Sequence, residues 1–143
     1  EYGGIDLIFC TNTETGKVVD INDDPNVNIS FLDSSGQWAS LSGTSRVVTQ
    51  TDIIKKYYSR SLKVWLGDLG DGKHDGTPND PRIGVIKVES KIINYAINRT
   101  NAIKRGLGVA QGMMTGNTPE IHKLRKISEQ EIMAWRSSKK MVE

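Results

Sequence analysis

A single cysteine, Cys10, stands in a chain of 143 residues, which excludes an internal disulfide and points to a reducing compartment. With only two histidines beside it, no Cys/His spacing resembles a zinc site. No apolar run reaches the roughly 18 residues that a membrane helix needs. Nor is one charge in excess: 19 Lys plus Arg against 17 Asp plus Glu leave a formal +2, too weak a field to hold nucleic acid or a membrane surface. Neither partner is expected, and a cytoplasmic location is. The chain opens at Glu1 rather than methionine, so the lack of a leader carries no weight. Asp71, Asp75 and Asp80 do not follow the Asp-x-Asp-x-Asp-Gly order of a calcium loop, and no metal is expected. Gly106, Gly108 and Gly112 lack the spacing and context of a dinucleotide fingerprint, which leaves small-residue packing as their reading.

What is present is enough apolar residue, 36%, for one compact domain over residues 1–143. Residues 5–9 form a short apolar run, followed by a Thr/Asn/Gly-rich loop to Lys17 and one or two helical turns that end before Pro25. Residues 26–31 alternate polar and apolar as a half-buried strand does, and the turn composition of 33–36 joins them to 37–44 as a hairpin. Ile53, Ile54, Tyr57, Tyr58, Leu62, Trp65 and Leu66 fall at helical spacing, predicting one helix over 52–66. Residues 67–81 read as a long loop. Residues 83–97 read as a strand long enough to bend and serve two parts of a barrel. A helix is predicted over 100–114, a break over 115–119, and an edge strand over 121–127. Ser128 and Glu131 form a capping box that starts a last helix carrying Ile132 and Trp135, so 99–143 is a helical and strand extension. Lys123, Arg125, Lys126, Arg136, Lys139 and Lys140 read as a solvated face or frayed tail.

One stretch carries chemistry. Between the first strand and the first helix lie Cys10, Thr11, Asn12, Thr15 and Lys17. A helix that opens here has unpaired N–H groups in its first turn, with Thr15 as its hydroxyl cap and Lys17 just inside. Those donors, the helix dipole, the hydroxyls and one ammonium all favour an anion. On residue types alone the same stretch also reads as an ordinary cap followed by a solvated lysine. Cys10, within a strand, reads as an inert core thiol. Trp38 reads either as the anchor of its hairpin or as the neighbour of a ligand.

Phe9-x-Thr11-Asn12-x-x-Thr15-x-Lys17 resembles the phosphate-binding stretch of the FMN-binding split-barrel superfamily, which includes the pyridoxamine 5′-phosphate oxidases. Within it the chain most resembles the fungal blue-light-inducible proteins and bacterial general stress proteins of the pyridoxamine-oxidase-like group. The stretches at 24–31, 37–44, 62–68 and 80–86 follow the family order over nearly the whole chain.

The resemblance implies a mainly β (α+β) split β-barrel with Greek-key strands and flanking helices, working as a homodimer with two flavins at its interface. It implies that Thr11, Thr15 and Lys17 hold the FMN phosphate, with Asn12 a weaker member of the loop. Phe9 and Cys10 then bring backbone near the flavin ring, and Trp38 and Ser40 lie on the next strand but one. FAD is the alternative cofactor. In the family two strands and a helix precede the strand that here begins at Ile5, so an N-terminally incomplete barrel, the result of a late start, is expected. Gly16 stands where the oxidases have an arginine; losing one charge-assisted hydrogen bond weakens binding by about tenfold to a hundredfold. The oxidases' C-terminal Arg-x-His segment is missing, so oxidation of pyridoxamine phosphate is not expected. No acid, base or nucleophile stands out as catalytic. The function implied is a flavin-binding stress- or light-response protein with weak flavin-dependent redox activity; the alternative is a non-catalytic module that stores flavin or binds a partner without it.

Overall fold

Alternating apolar residues build one antiparallel sheet from β1 (Leu7–Asn12), β2 (Asn26–Leu32), β3 (Trp38–Val48), β4 (Ile83–Asn98) and β5 (His122–Ile127). The strand order is β1-β4-β3-β2, with β5 also paired to β4. In this computed structural model, which describes residues 5–98, 114 and 122–140, the helices are α1 (Gly16–Asp23), α2 (Thr51–Tyr57), α3 (Arg60–Leu66) and α4 (Glu129–Lys140). They flank a curled half-barrel, the mainly β architecture expected.

The 16-residue β4 organises the sheet. One edge pairs with β1 over residues 83–88 and with β5 over 93–98, while the other edge pairs with β3 along both halves. The long strand therefore serves two parts of the barrel, as its length predicted. Midway the register shifts: Ser42 faces Ile92 but Gly43 faces Ser90, leaving Lys91 unopposed. Such a bulge bends a strand, and here it swaps which side chains face which side. Gly43 is required at this point, because a Cβ there would lie 2.1 Å from the Glu89 carbonyl oxygen.

Each face of the sheet carries its own core. On the α1 face Ile21 packs with Leu41, Ile86 and Val88. On the opposite face Ile54 packs with Val48, Ile83 and Val85, joined by Ile8, Tyr57 and Leu62. Cover on both sides explains why residues 83–86 are continuously buried, where a half-exposed strand would alternate.

Several expectations are corrected. The helix expected over 52–66 is two helices, because Tyr58 and Ser59 adopt extended backbone. The Tyr58 hydroxyl donates to the Gly76 carbonyl at 2.7 Å, which pins the break. With the helical phase reset, Leu62 and Leu66 face the core while Val64 and Trp65 point outward, Trp65 being 86% exposed. The first strand runs through Asn12, beyond the predicted end at Phe9. Arg136 is not a solvated tail residue: it pairs with Asp6 and Glu89 and donates to the Ser90 carbonyl. The capping box is present, with the Ser128 N–H donating to Glu131 Oε2 at 2.8 Å, and Ile132 is buried. The helix expected over 100–114, apart from Met114, and the break over 115–119 lie outside the described residues.

Candidate functional site

At the end of β1 the chain folds back through its own short side chains. The Glu14 N–H donates to Asn12 Oδ1 and the Thr15 hydroxyl donates to the Asn12 carbonyl, both at 2.9 Å. The Thr13 N–H and hydroxyl donate to the Arg82 carbonyl at 2.7 and 3.1 Å, tying the loop to the start of β4. Thr15 has the extended backbone of an N-cap, yet its hydroxyl, expected to cap α1, points back to Asn12 instead. The N–H groups of Gly16 and Lys17 consequently have no acceptor among the described residues. Lys17 is exposed and makes no ion pair among the described residues. Three positive elements therefore converge: two free N–H donors, the helix dipole and one ammonium.

Beside them is a hollow of about 400 Å³. Phe9, Ile21, Val27 and Ile29 give it an apolar wall, and Lys17, Asp20 and Asp24 are its charged members. This volume lies in the range of small-molecule sites. Thr11 faces the same side of the sheet but is buried, with its hydroxyl directed at the Asn12 carbonyl 3.4 Å away.

The other predicted residues lie elsewhere. Cys10 points to the opposite face, where its thiol donates to the Tyr57 carbonyl at 3.4 Å and burial pushes its pKa up, away from a nucleophile's range. Trp38 and Ser40 sit opposite Ala96 and Asn94, whereas Thr11 sits opposite Gly84. Twelve residues of β4 separate Gly84 from Ala96, which is on the order of 40 Å of strand. Thr11, Asn12, Thr15 and Lys17 thus lie together, while Ser40 is linked to the Lys17 hollow through Asn28, and Trp38 lies two residues further along β3.

Around Ser40 is a polar cluster that the sequence reading did not pick out. Asn28 Nδ2 donates to Ser40 Oγ and Ser42 Oγ, both at 2.9 Å, and Ser30 Oγ donates to Asn28 Oδ1 at 3.2 Å. The signal was available, since Asn28, Ser30, Ser40 and Ser42 are the polar half of two alternating strands. Leu32 and Trp38 continue the same face, 77% and 38% exposed.

Among the described residues no three His, Cys, Asp or Glu side chains are grouped to hold a metal ion, and no helix is long and apolar enough to cross a membrane.

Comparison with known proteins agrees with this fold. The family described as "Pyridoxamine 5'-phosphate oxidase like" matches residues 4–120. Protein bli-3 of Neurospora crassa is 54% identical over 139 residues, covering 96% of this chain; the chain spans 66% of that relative's length. A protein of Jannaschia sp. CCS1 solved as a general stress protein 26 superposes with a TM-score of 0.62 at 18% identity, over 86% of this chain and 74% of the other. The general stress FMN/FAD binding protein of Xanthomonas citri gives 0.55 at 16% identity, over 68% and 64%. At those identities the two structures speak for the fold.

Proposed function

The chain belongs to the pyridoxamine 5′-phosphate oxidase-like family, and from that premise we propose that it is a stress- or light-response protein that binds FMN by its phosphate at the start of α1. The observation that carries the reading is that, among the described residues, Lys17 and the Gly16 and Lys17 N–H groups have no partners, at the edge of a largely apolar hollow. These groups fit a phosphate: an ammonium and first-turn N–H donors hold the dianion, while Phe9 and Ile21 wall off an aromatic portion. Asn12 and Thr13 shape the loop, and Thr11 packs beneath it.

When bound, a flavin supplies reversible redox chemistry, and the protein's part is to position it and limit access to it. Ser40 accepts from Asn28, which lines the Lys17 hollow, and Trp38 lies two residues further along β3, so both stand near a ligand seated there. A homodimer with the ligand at its interface, which the family resemblance implies, is part of the proposal. FMN is the cofactor proposed, with FAD the alternative.

A second reading has its own support. Asp20 and Asp24 share the hollow with Lys17, and Gly16 brings no charge, so affinity is modest and the chain acts as a flavin store or partner-binding module without turnover.

The test is a fluorescence titration of the protein with FMN and, in parallel, riboflavin. FMN binding at least tenfold tighter than riboflavin is expected. Failure to bind either would overturn the flavin reading, and equal affinity would overturn the phosphate assignment. Added NADH or NADPH then separates the two roles, since sustained oxidation requires an enzyme and its absence a store.

A further inference from the structure

A second hollow, of about 340 Å³, opens where β1, β3 and β4 meet Tyr57 of α2 and Arg136 of α4. Its charged residues are not arranged as pairs. Both carboxylates, Asp6 and Glu89, are taken by Arg136. Arg46 and Lys87 are left over. They stand directly opposite one another on β3 and β4, in one row with Ile8 of β1. Neither makes an ion pair or a side-chain hydrogen bond among the described residues. Directly opposed side chains on antiparallel strands have Cβ atoms about 5 Å apart, and like charges there destabilise the sheet. Lys87 is only half-exposed, so solvent does not fully screen the repulsion.

We propose that this hollow binds a small acidic molecule, a phosphate monoester or a carboxylate, through Arg46 and Lys87. An anion between the two cations replaces their repulsion with charge-assisted hydrogen bonds, and Arg46 offers a planar fork suited to either oxyanion. Ile8 and Tyr57 furnish apolar surface for an organic portion. Arg136 strengthens the selection by withdrawing the two carboxylates that would otherwise satisfy the cations internally. The site is distinct from the one at Lys17: Ile8, Arg46 and Lys87 share the face carrying Val85 and Ile54, whereas the Lys17 hollow lies on the face carrying Ile86 and Ile21. The inference does not rest on flavin binding.

Calorimetric titration with inorganic phosphate and with succinate tests it, in a Lys17→Gln background that removes the ammonium at the start of α1, comparing that background with the same protein carrying Arg46→Gln with Lys87→Gln or the swap Arg46→Lys with Lys87→Arg. The double glutamine change is expected to cost at least tenfold in affinity for whichever anion binds, while the charge-conserving swap costs less than threefold. Phosphate binding alone identifies a phosphate ester as the ligand class, and succinate binding alone a carboxylate. Without anion, the double glutamine variant should melt no lower than its background, because the opposed charges are gone. Undetectable binding in the Lys17→Gln background, equal affinity after the double glutamine change, or equal loss in the swap would each overturn the proposal.

Discussion

Two polar loops of this protein have opposite characters. Residues 12–17 carry two threonines with one each of Asn, Glu, Gly and Lys, whereas residues 67–81 are rich in Asp and Gly. In the longer loop the carboxylates are taken up internally. Asp68 accepts the Gly70 N–H, Asp71 those of Lys73 and His74, Asp75 that of Thr77, and Asp80 those of Gly76 and Arg82. Those bonds hold Asp71 and Asp75 below the usual carboxylate range. Arg82, buried against Asp80, sends its remaining donors to the Leu66 and Gly67 carbonyls at 3.0 and 2.9 Å. The shorter loop bonds enough to fix its shape and, among the described residues, leaves an ammonium and two N–H groups over at the edge of a hollow. A polar loop becomes a candidate ligand site where spare donors meet a hollow.

Breaking the internally satisfied loop should have the largest effect. Asp80→Ala leaves the Arg82 guanidinium buried without its counter-charge, which costs about 3–5 kcal/mol. Urea unfolding measures this, and a loss under about 1 kcal/mol would mean the pair does not anchor the loop. The same pair makes stability depend on pH. Arg82 holds the Asp80 carboxyl at about 2, below the ordinary 3.8. A depressed folded pKa stabilises above the unfolded value, so this contribution, about 2 kcal/mol, is present above pH 4 and fades as pH falls toward 2. Unfolding free energies at pH 5, 4 and 3 should fall less steeply for Asp80→Asn than for the parent; parallel slopes would assign the acid sensitivity elsewhere.

In the loop with donors to spare, the expected effect moves from stability to binding. Lys17→Ala should weaken FMN by about tenfold to a hundredfold. Riboflavin affinity should not change, and neither should the melting temperature of the ligand-free protein, since Lys17 is exposed and unpaired among the described residues. A fall in riboflavin affinity to match would mean that the substitution disturbs the apolar wall rather than the phosphate contact.

Much of this contrast was legible in the sequence, and what escaped has physical causes. The alternation of residues 26–31 and the length of residues 83–97 predicted β2 and β4 because pleat and burial leave periodic marks. The break at Tyr58 was not visible, because it depends on a hydroxyl reaching Gly76 eighteen residues away. The direction of the Thr15 hydroxyl was misread: Asn12, which competes for it, is also three residues distant. Trp38 and Ser40 were grouped with the phosphate loop through resemblance, and the hydrogen bond from Asn28, which lines the Lys17 hollow, to Ser40 depends on strand pairing that no local pattern shows. The opposed pair Arg46 and Lys87 depends on such pairing too, since 41 residues separate them in the chain.

The smallest effect comes from the residue that joins the two loops. Thr13 donates both its N–H and its hydroxyl to the Arg82 carbonyl, at 2.7 and 3.1 Å, and a Cβ on Gly84 would lie 2.6 Å from its methyl group. Thr13→Val keeps the branched shape and the backbone bond and removes only the hydroxyl, so about 0.5–1.5 kcal/mol of stability should be lost. Because the Arg82 carbonyl retains the Thr13 N–H, the shorter loop should keep its position and FMN affinity should change less than threefold. If affinity instead falls as far as in Lys17→Ala, the hydroxyl transmits the rigidity of residues 67–81 into the binding loop. The longer loop would then be part of the site's positioning, through the bonds that its own carboxylates make.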